Sequence, residues 1–254
     1  MLLLCNVLYL IVSVIMNWSG SIIGINGSIY IILLVLVISP IISWYVLYNV
    51  VCIEIYNNSM LYVLSYNLIS YYYYSFNIGI SISVMLMIAV ILLINVSYAI
   101  SLYILLYMYK DKGIVRFISL IMLFTFSMII LIISSDIILL FIGWEMIGIT
   151  SLLLIGYYNN RIEASRAGLK AIFYNRVGDI TLLLFIVLSI NIYSSNNMLI
   201  YSILISYYNY SIGNINLLIG ICIIISAWSK SAQLGFQPWL LSAMEGLYLY
   251  NSIY

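Results

Sequence analysis

An all-α integral membrane protein of about seven transmembrane helices is the fold class that this sequence predicts. Three observations predict it. The 254 residues are 66% hydrophobic and only 6% charged, against roughly 25% charged in a soluble domain. Mean hydropathy is +1.21. The apolar residues also gather in runs long enough to span a bilayer, about 20 residues each. So little charge cannot cover a water-facing surface. The chain's solvent is therefore lipid, where backbone polar groups must be satisfied within the protein.

The spans are expected near 1–19, 28–50, 81–108, 114–134, 137–157, 170–193 and 215–242. The first, opening MLLLCNVLYLIVSVIMNW, has no basic leader and no small-residue cleavage site, so it reads as a span rather than a signal peptide. Pro40 lies in the second and Pro238 in the last, and these are the two prolines of the chain. Each removes a backbone donor, which a membrane tolerates where side chains, protein or water meet the freed carbonyl. With Gly235 beside Pro238, the last helix is expected to break there. Two intervals do not fit as spans. Residues 57–77, NNSMLYVLSYNLISYYYYSFN, suit an interfacial segment or a short hairpin, because Tyr favours the headgroup level. Residues 194–213 are similar, with an interfacial helix expected around 198–206.

The basic clusters set the orientation. Lys110, Lys112 and Arg116 follow the third span, and Arg161, Arg166 and Lys170 follow the fifth. With seven spans both loops fall on one face, which the positive-inside rule places at the cytoplasm or matrix. The N-terminus then lies opposite and the C-terminus inside. A net charge of +1 offers no field for nucleic acid. Histidine is absent, and Cys5, Cys52 and Cys222 have no metal-ligand spacing and read as small hydrophobes. Metal, haem and iron–sulfur chemistry is not expected in this chain. The heavy use of Ile, Tyr and Asn is what a gene rich in A and T, such as an organellar one, would produce.

Away from these basic loops, four ionisable residues remain within the spans: Glu145 at about mid-span, Arg176 and Asp179 about two turns inside the sixth, and Lys230 in the last. A charge at the centre of a lipid-exposed helix costs about 2.5–3.5 kcal/mol on insertion scales. These four must face protein or water and pair with one another. Arg176 and Asp179, three apart, share a helical face and can pair within the helix. Glu145 and Lys230 lack local partners, so theirs lie across helices, each being a candidate for the other. Burial and an opposite neighbour push such groups in opposing directions, so they change protonation when a nearby charge moves. That is what a proton relay requires. Static ion pairs fixing the helix packing are the alternative. Glu54, Asp136 and Glu245 lie near span ends and receive no function.

FIGWEMIGITSLLLIGYY, RAGLKAIFYNRVGDI and AWSKSAQLGFQPWLLSAMEG resemble, in order and spacing, the subunit 5 family of the NADH dehydrogenase of mitochondrial complex I. This is the distal antiporter-like member of the membrane arm, and the likeness covers residues 80 to 246. The resemblance implies that Glu145 and Lys230 are central proton-channel residues and that Arg176 and Asp179 modulate them. It implies three N-terminal helices over 1–113, four helices of a first antiporter-like repeat over 114–246, and a divergent tail over 247–254. It implies no cofactor in this chain, with FMN, iron–sulfur clusters and quinone elsewhere in the complex. Other membrane-arm subunits and lipids are the implied partners, in the mitochondrial inner membrane. The family continues after AMEG with a Pro-Thr-Pro turn, a histidine-bearing helix and a second repeat, whereas this chain reads LYLYNSIY. A second chain carrying that half is therefore expected, each supplying half a channel. A subunit of a multi-subunit cation/proton antiporter and a non-conducting membrane-arm scaffold are the competing readings.

Overall fold

A computed structural model describes residues 2–57, 62–71, 74–109, 111, 113–158, 162–193, 197 and 213–248. Its helices are α1 (Leu2–Ile23), α2 (Ile25–Asn57), α3 (Val84–Tyr107), α4 (Ile114–Ile133), α5 (Ile137–Ile155), α6 (Ile162–Tyr193), α7 (Gly213–Lys230) and α8 (Gln237–Tyr248). Strands β1 (Tyr62–Tyr71) and β2 (Tyr74–Ile82) pair between α2 and α3. Helices α2 to α6 are long and apolar enough to cross a membrane, and α1 and α7 hold shorter apolar stretches, Leu8–Trp18 and Ile215–Lys230. The expected all-α membrane fold is thus present, with three adjustments.

The tyrosine-rich interval forms paired strands, and β2 runs on to Ile82, so the third helix starts at Val84 rather than 81. Ser83 caps it, its hydroxyl accepting from the Leu86 amide at 3.3 Å. Helix α6 begins at Ile162, eight residues before the expected 170, because Glu163, Arg166 and Lys170 extend it as exposed helical turns instead of forming a loop. Its charged pair therefore lies near mid-helix. The last span is two helices, α7 and α8, separated at Ser231–Phe236. Pro238 occupies the first turn of α8, where its missing N–H would have had no helical partner anyway. The helix expected at 198–206 lies outside the described residues, as do Lys110, Lys112, Arg161 and most of the 247–254 tail.

One compact unit comprises α1 to α4, with α1 packed on both α4 and α2, and α3 on both α2 and α4. Its buried polar side chains, among the described residues, are all hydroxyls. Most bond the carbonyl three residues back, as Ser13, Ser97, Ser101 and Thr125 do, which lets them sit in an apolar interface without an unmet donor. Pro40 leaves the Leu36 carbonyl without its helical donor, and Ser39 Oγ approaches it at 3.4 Å while also bonding the Tyr9 hydroxyl at 2.7 Å. Helix α2 passes through the proline on that account. Asn17 Oδ1 accepts from Ser119 Oγ at 2.8 Å and ties α1 to α4.

The other unit comprises α5 to α8. Helix α6 is its centre, packed on α5, α7 and α8. Ala164, Ala167, Ala171, Asn175, Asp179, Leu182, Ile186 and Ser189 are buried along α6 at helical spacing. The run begins with small residues, continues with polar ones and ends in aliphatic ones. The aliphatic end joins Ile137 of α5 and Ile219 and Cys222 of α7 in a common core, with Trp144 against it. Unlike the first unit, this one buries an amide and two carboxyls, at Asn175, Asp136 and Asp179.

Asp136 precedes α5 and is fully buried, with no hydrogen bond to either carboxylate oxygen, and burial pushes its carboxyl above the usual carboxylate range. It lies against Gly79, whose carbonyl accepts from the Ser135 amide at 3.0 Å. A Cβ on Gly79 would overlap Ser135 Oγ and stand 2.9 Å from Asp136 Oδ2. Gly79→Ala is accordingly expected to destabilise the protein by about 1–3 kcal/mol, read as a lower thermal midpoint of the detergent-solubilised protein.

Candidate functional site

Glu145 is mid-helix on α5, Arg176 and Asp179 are mid-helix on α6, and Lys230 is the last residue of α7. The structure brings all four into one unit, but not in the expected pairs. Arg176 Nη1 lies 3.4 Å from Glu145 Oε1, across α5 and α6, instead of pairing with Asp179 on its own helix. A guanidinium has the reach to leave its helix, and the pair stays partly open, at 61% and 36% side-chain exposure. Asp179 is instead buried, with no ion pair to Arg176.

Lys230 Nζ donates to the Trp144 carbonyl of α5 at 3.0 Å and sits 5.4 Å from the Trp144 ring centroid. Its expected direct bond to Glu145 is therefore not made. Gly148 lies beside the ammonium: a Cβ there would stand 3.1 Å from Nζ. Being the last residue of α7, Lys230 also holds its charge at the negative end of a helix dipole.

The chain break beyond Lys230 is built from Ala232 at φ 51° and Gly235 at φ 90°. Left-handed backbone costs a residue with a Cβ roughly 1–2 kcal/mol, so the turn has to be held. The α7 carbonyls find donors there. Ser231 N bonds Ala227 O at 3.0 Å, Gln233 N bonds Trp228 O at 3.2 Å, and Trp239 Nε1 bonds Ser229 O at 3.1 Å. Trp239 is on α8, so this last bond straps α8 to the backbone beside Lys230. Trp239→Phe should keep the packing but lose the strap, about 0.5–1.5 kcal/mol. Limited proteolysis is the check: cleavage within 231–236 should be faster than in the unsubstituted protein.

A cleft of about 170 Å³ lies between α5 and α6, with Glu145, Arg176, Asp179, Asn175 and Gly148 in its wall. Asn175 Oδ1 and Asp179 Oδ1 are buried without hydrogen-bond partners. A cleft of this size has room for water beside the Glu145–Arg176 pair. Five residues here escape a reading based on charge: Trp144, Gly148, Asn175, Gly178 and Ser229. Asn175 stands four residues before Asp179, on the same helical face, and that spacing was its only signal. Among the described residues no group of three His, Cys, Asp or Glu is placed to hold a metal ion.

The fold, apolar helices with a mixed-charge centre in the second unit, is an antiporter-like membrane fold. Residues 134–253 match a family model described as NADH:quinone oxidoreductase/Mrp antiporter, TM. More particularly, the chain is similar to NADH-ubiquinone oxidoreductase chain 5. It is 43% identical to that of Wickerhamomyces canadensis over 140 residues and 44% identical to that of Mus musculus over 141. Each match covers 55% of this chain but only 21% and 22% of the relative, so it spans about a fifth of those proteins. Two solved structures share the fold at a TM-score of 0.75. One is an archaeal respiratory complex, the membrane-bound sulfane sulfur reductase, at 16% identity, with 96% of this chain and 47% of that one covered. The other is the Mrp complex of a Dietzia species, at 17% identity, with 98% and 26% covered.

Proposed function

We propose that this chain is a multi-pass membrane-arm subunit of a respiratory complex I, NADH:ubiquinone oxidoreductase, in the mitochondrial inner membrane. On this reading it carries part of a proton path and no redox chemistry. The observation that carries the reading is the placing of Glu145, Arg176 and Asp179 in the wall of one cleft within apolar helices, with the Lys230 ammonium seated against Trp144 and Gly148 of α5. Lys230 and Asp179 are the proton-exchanging centre. Glu145 passes protons through waters in the cleft, and Arg176 pairs with it across α5 and α6. Gly235 and the start of α8 at Pro238 form the break that leaves Lys230 at a helix end.

Residues 114–246, with the broken pair α7 and α8 counted as one span, act as four spans of an antiporter-like repeat, with the basic turns of α6 at the matrix face. The rest of the path comes from protein outside these 254 residues, in the same polypeptide or a second one. The exposure of the Glu145–Arg176 pair supports this, since a pair so placed on spanning helices needs protein or water over it. Moving a charge across 100 mV takes about 2.3 kcal/mol, so the driving energy arrives from neighbouring subunits.

The test is mass spectrometry of the gently solubilised, native-gel-separated assembly that contains this chain. An NADH-oxidising assembly is the expected result. Isolation in a membrane complex without such a module would overturn the assignment and favour a cation/proton antiporter, whose fold the chain shares.

A further inference from the structure

We propose that Trp144 is a positioning residue for Lys230, holding its ammonium beside Asp179 by ring and carbonyl together. The inference rests on the proposed proton path, and it concerns the stretch between α5 and α7 where no acidic side chain bonds the lysine. Within about 6 Å of an aromatic centroid, a cation is drawn to the ring face. Nζ stands at 5.4 Å from Trp144, with the same residue's carbonyl accepting at 3.0 Å.

Two further features show that this seat is built. Gly148, one turn along α5, lacks the Cβ that would crowd the ammonium at 3.1 Å. The Trp144 ring is itself fixed, packed against the apolar core that α5, α6 and α7 share. Its indole Nε1 is buried and unpaired. A lysine stem is flexible, and a seat that fixes its tip keeps the ammonium within reach of Asp179 without closing a tight ion pair that would trap the proton. Trp144 exchanges no proton itself.

Phenylalanine keeps a ring face and the carbonyl, while leucine keeps only the carbonyl. In the assembled complex, Trp144→Phe should pump protons, driven by NADH oxidation in sealed vesicles, at more than about half the unsubstituted rate. Trp144→Leu should fall roughly 3- to 10-fold, the range a cation–π contact spans at a half-buried site. The thermal midpoint of the complex gives a second readout. Trp144→Leu should lower it with Lys230 present and lower it much less beside Lys230→Met, because a contact shows as non-additivity.

Equal losses in both backgrounds would make Trp144 a packing residue and overturn the inference. So would unaltered pumping by Trp144→Leu where Lys230→Met does not pump. Should Lys230→Met itself pump normally, the proposed path fails, and the thermal comparison still decides whether Trp144 seats the lysine. If Trp144→Leu does not assemble, Trp144→Met replaces it. Should neither assemble, recovery of assembly on adding Lys230→Met supports the seat, and no recovery overturns it.

Discussion

Vesicles carrying Lys230→Met are expected to oxidise NADH while pumping through this chain falls at least about tenfold, the lower end of what a positioned proton carrier contributes being larger still. Methionine keeps the length of the stem and removes the ammonium. Asp179 then loses a nearby positive charge. Removing one partner of a buried pair costs about 3–5 kcal/mol when the other stays charged, so poor assembly of the single variant would be ambiguous by itself. The double variant Lys230→Met with Asp179→Leu separates the two effects. Replacing both partners by apolar residues is commonly near neutral for stability, so assembly should recover while pumping stays lost. Recovery of pumping in the double variant would show that these residues serve packing and not proton transfer.

Gly178→Val is expected to cost about 2–3 kcal/mol or more and to lower both assembly and pumping. Helices α6 and α7 meet closely at Gly178. A Cβ there would overlap Ser229 Oγ, with Ser229 Cβ at 3.0 Å and the Ser226 carbonyl at 3.4 Å. Lipid gives helices no hydrophobic reason to associate, so close backbone approach at small residues is what holds them. Ser229 is the residue before Lys230 and is fully buried, so pushing α7 outward moves the ammonium off its seat. Adding Ser229→Gly to the same chain removes the obstructing atoms and should restore part of the assembly, measured as the chain's yield in the intact complex on a native gel. No restoration would place the cause of the loss elsewhere.

The helices were legible because apolar runs of spanning length have few other uses, and the break at Gly235 and Pro238 was legible because neither residue sustains a helix. The edges were less so. The start of α3 shifted because β2 consumes Ile80 to Ile82, and apolar residues suit a strand as well as a helix over so short a stretch. The start of α6 shifted because hydropathy reports the bilayer boundary, whereas Glu163 to Lys170 are good helix formers outside it.

At the site, the four charges were found from their cost alone, but their pairing was not. Spacing of three residues made Arg176–Asp179 geometrically possible, yet which helix packs beside which decides what a long guanidinium reaches. The acceptor for Lys230 is a backbone carbonyl, and every residue has one, so no side-chain pattern could point to Trp144 O. Gly148 and Gly178 matter through a missing atom, which becomes visible only when the opposing helix is in place.

The most direct test of the proton path is the number of protons moved per NADH oxidised by sealed vesicles, compared between the unsubstituted complex and one carrying Glu145→Gln with Lys230→Met. Immunodetection must show the chain present in equal amount in both. A reduced ratio with NADH oxidation maintained is the predicted result. An unchanged ratio would contradict the account and leave the chain a structural member of the membrane arm.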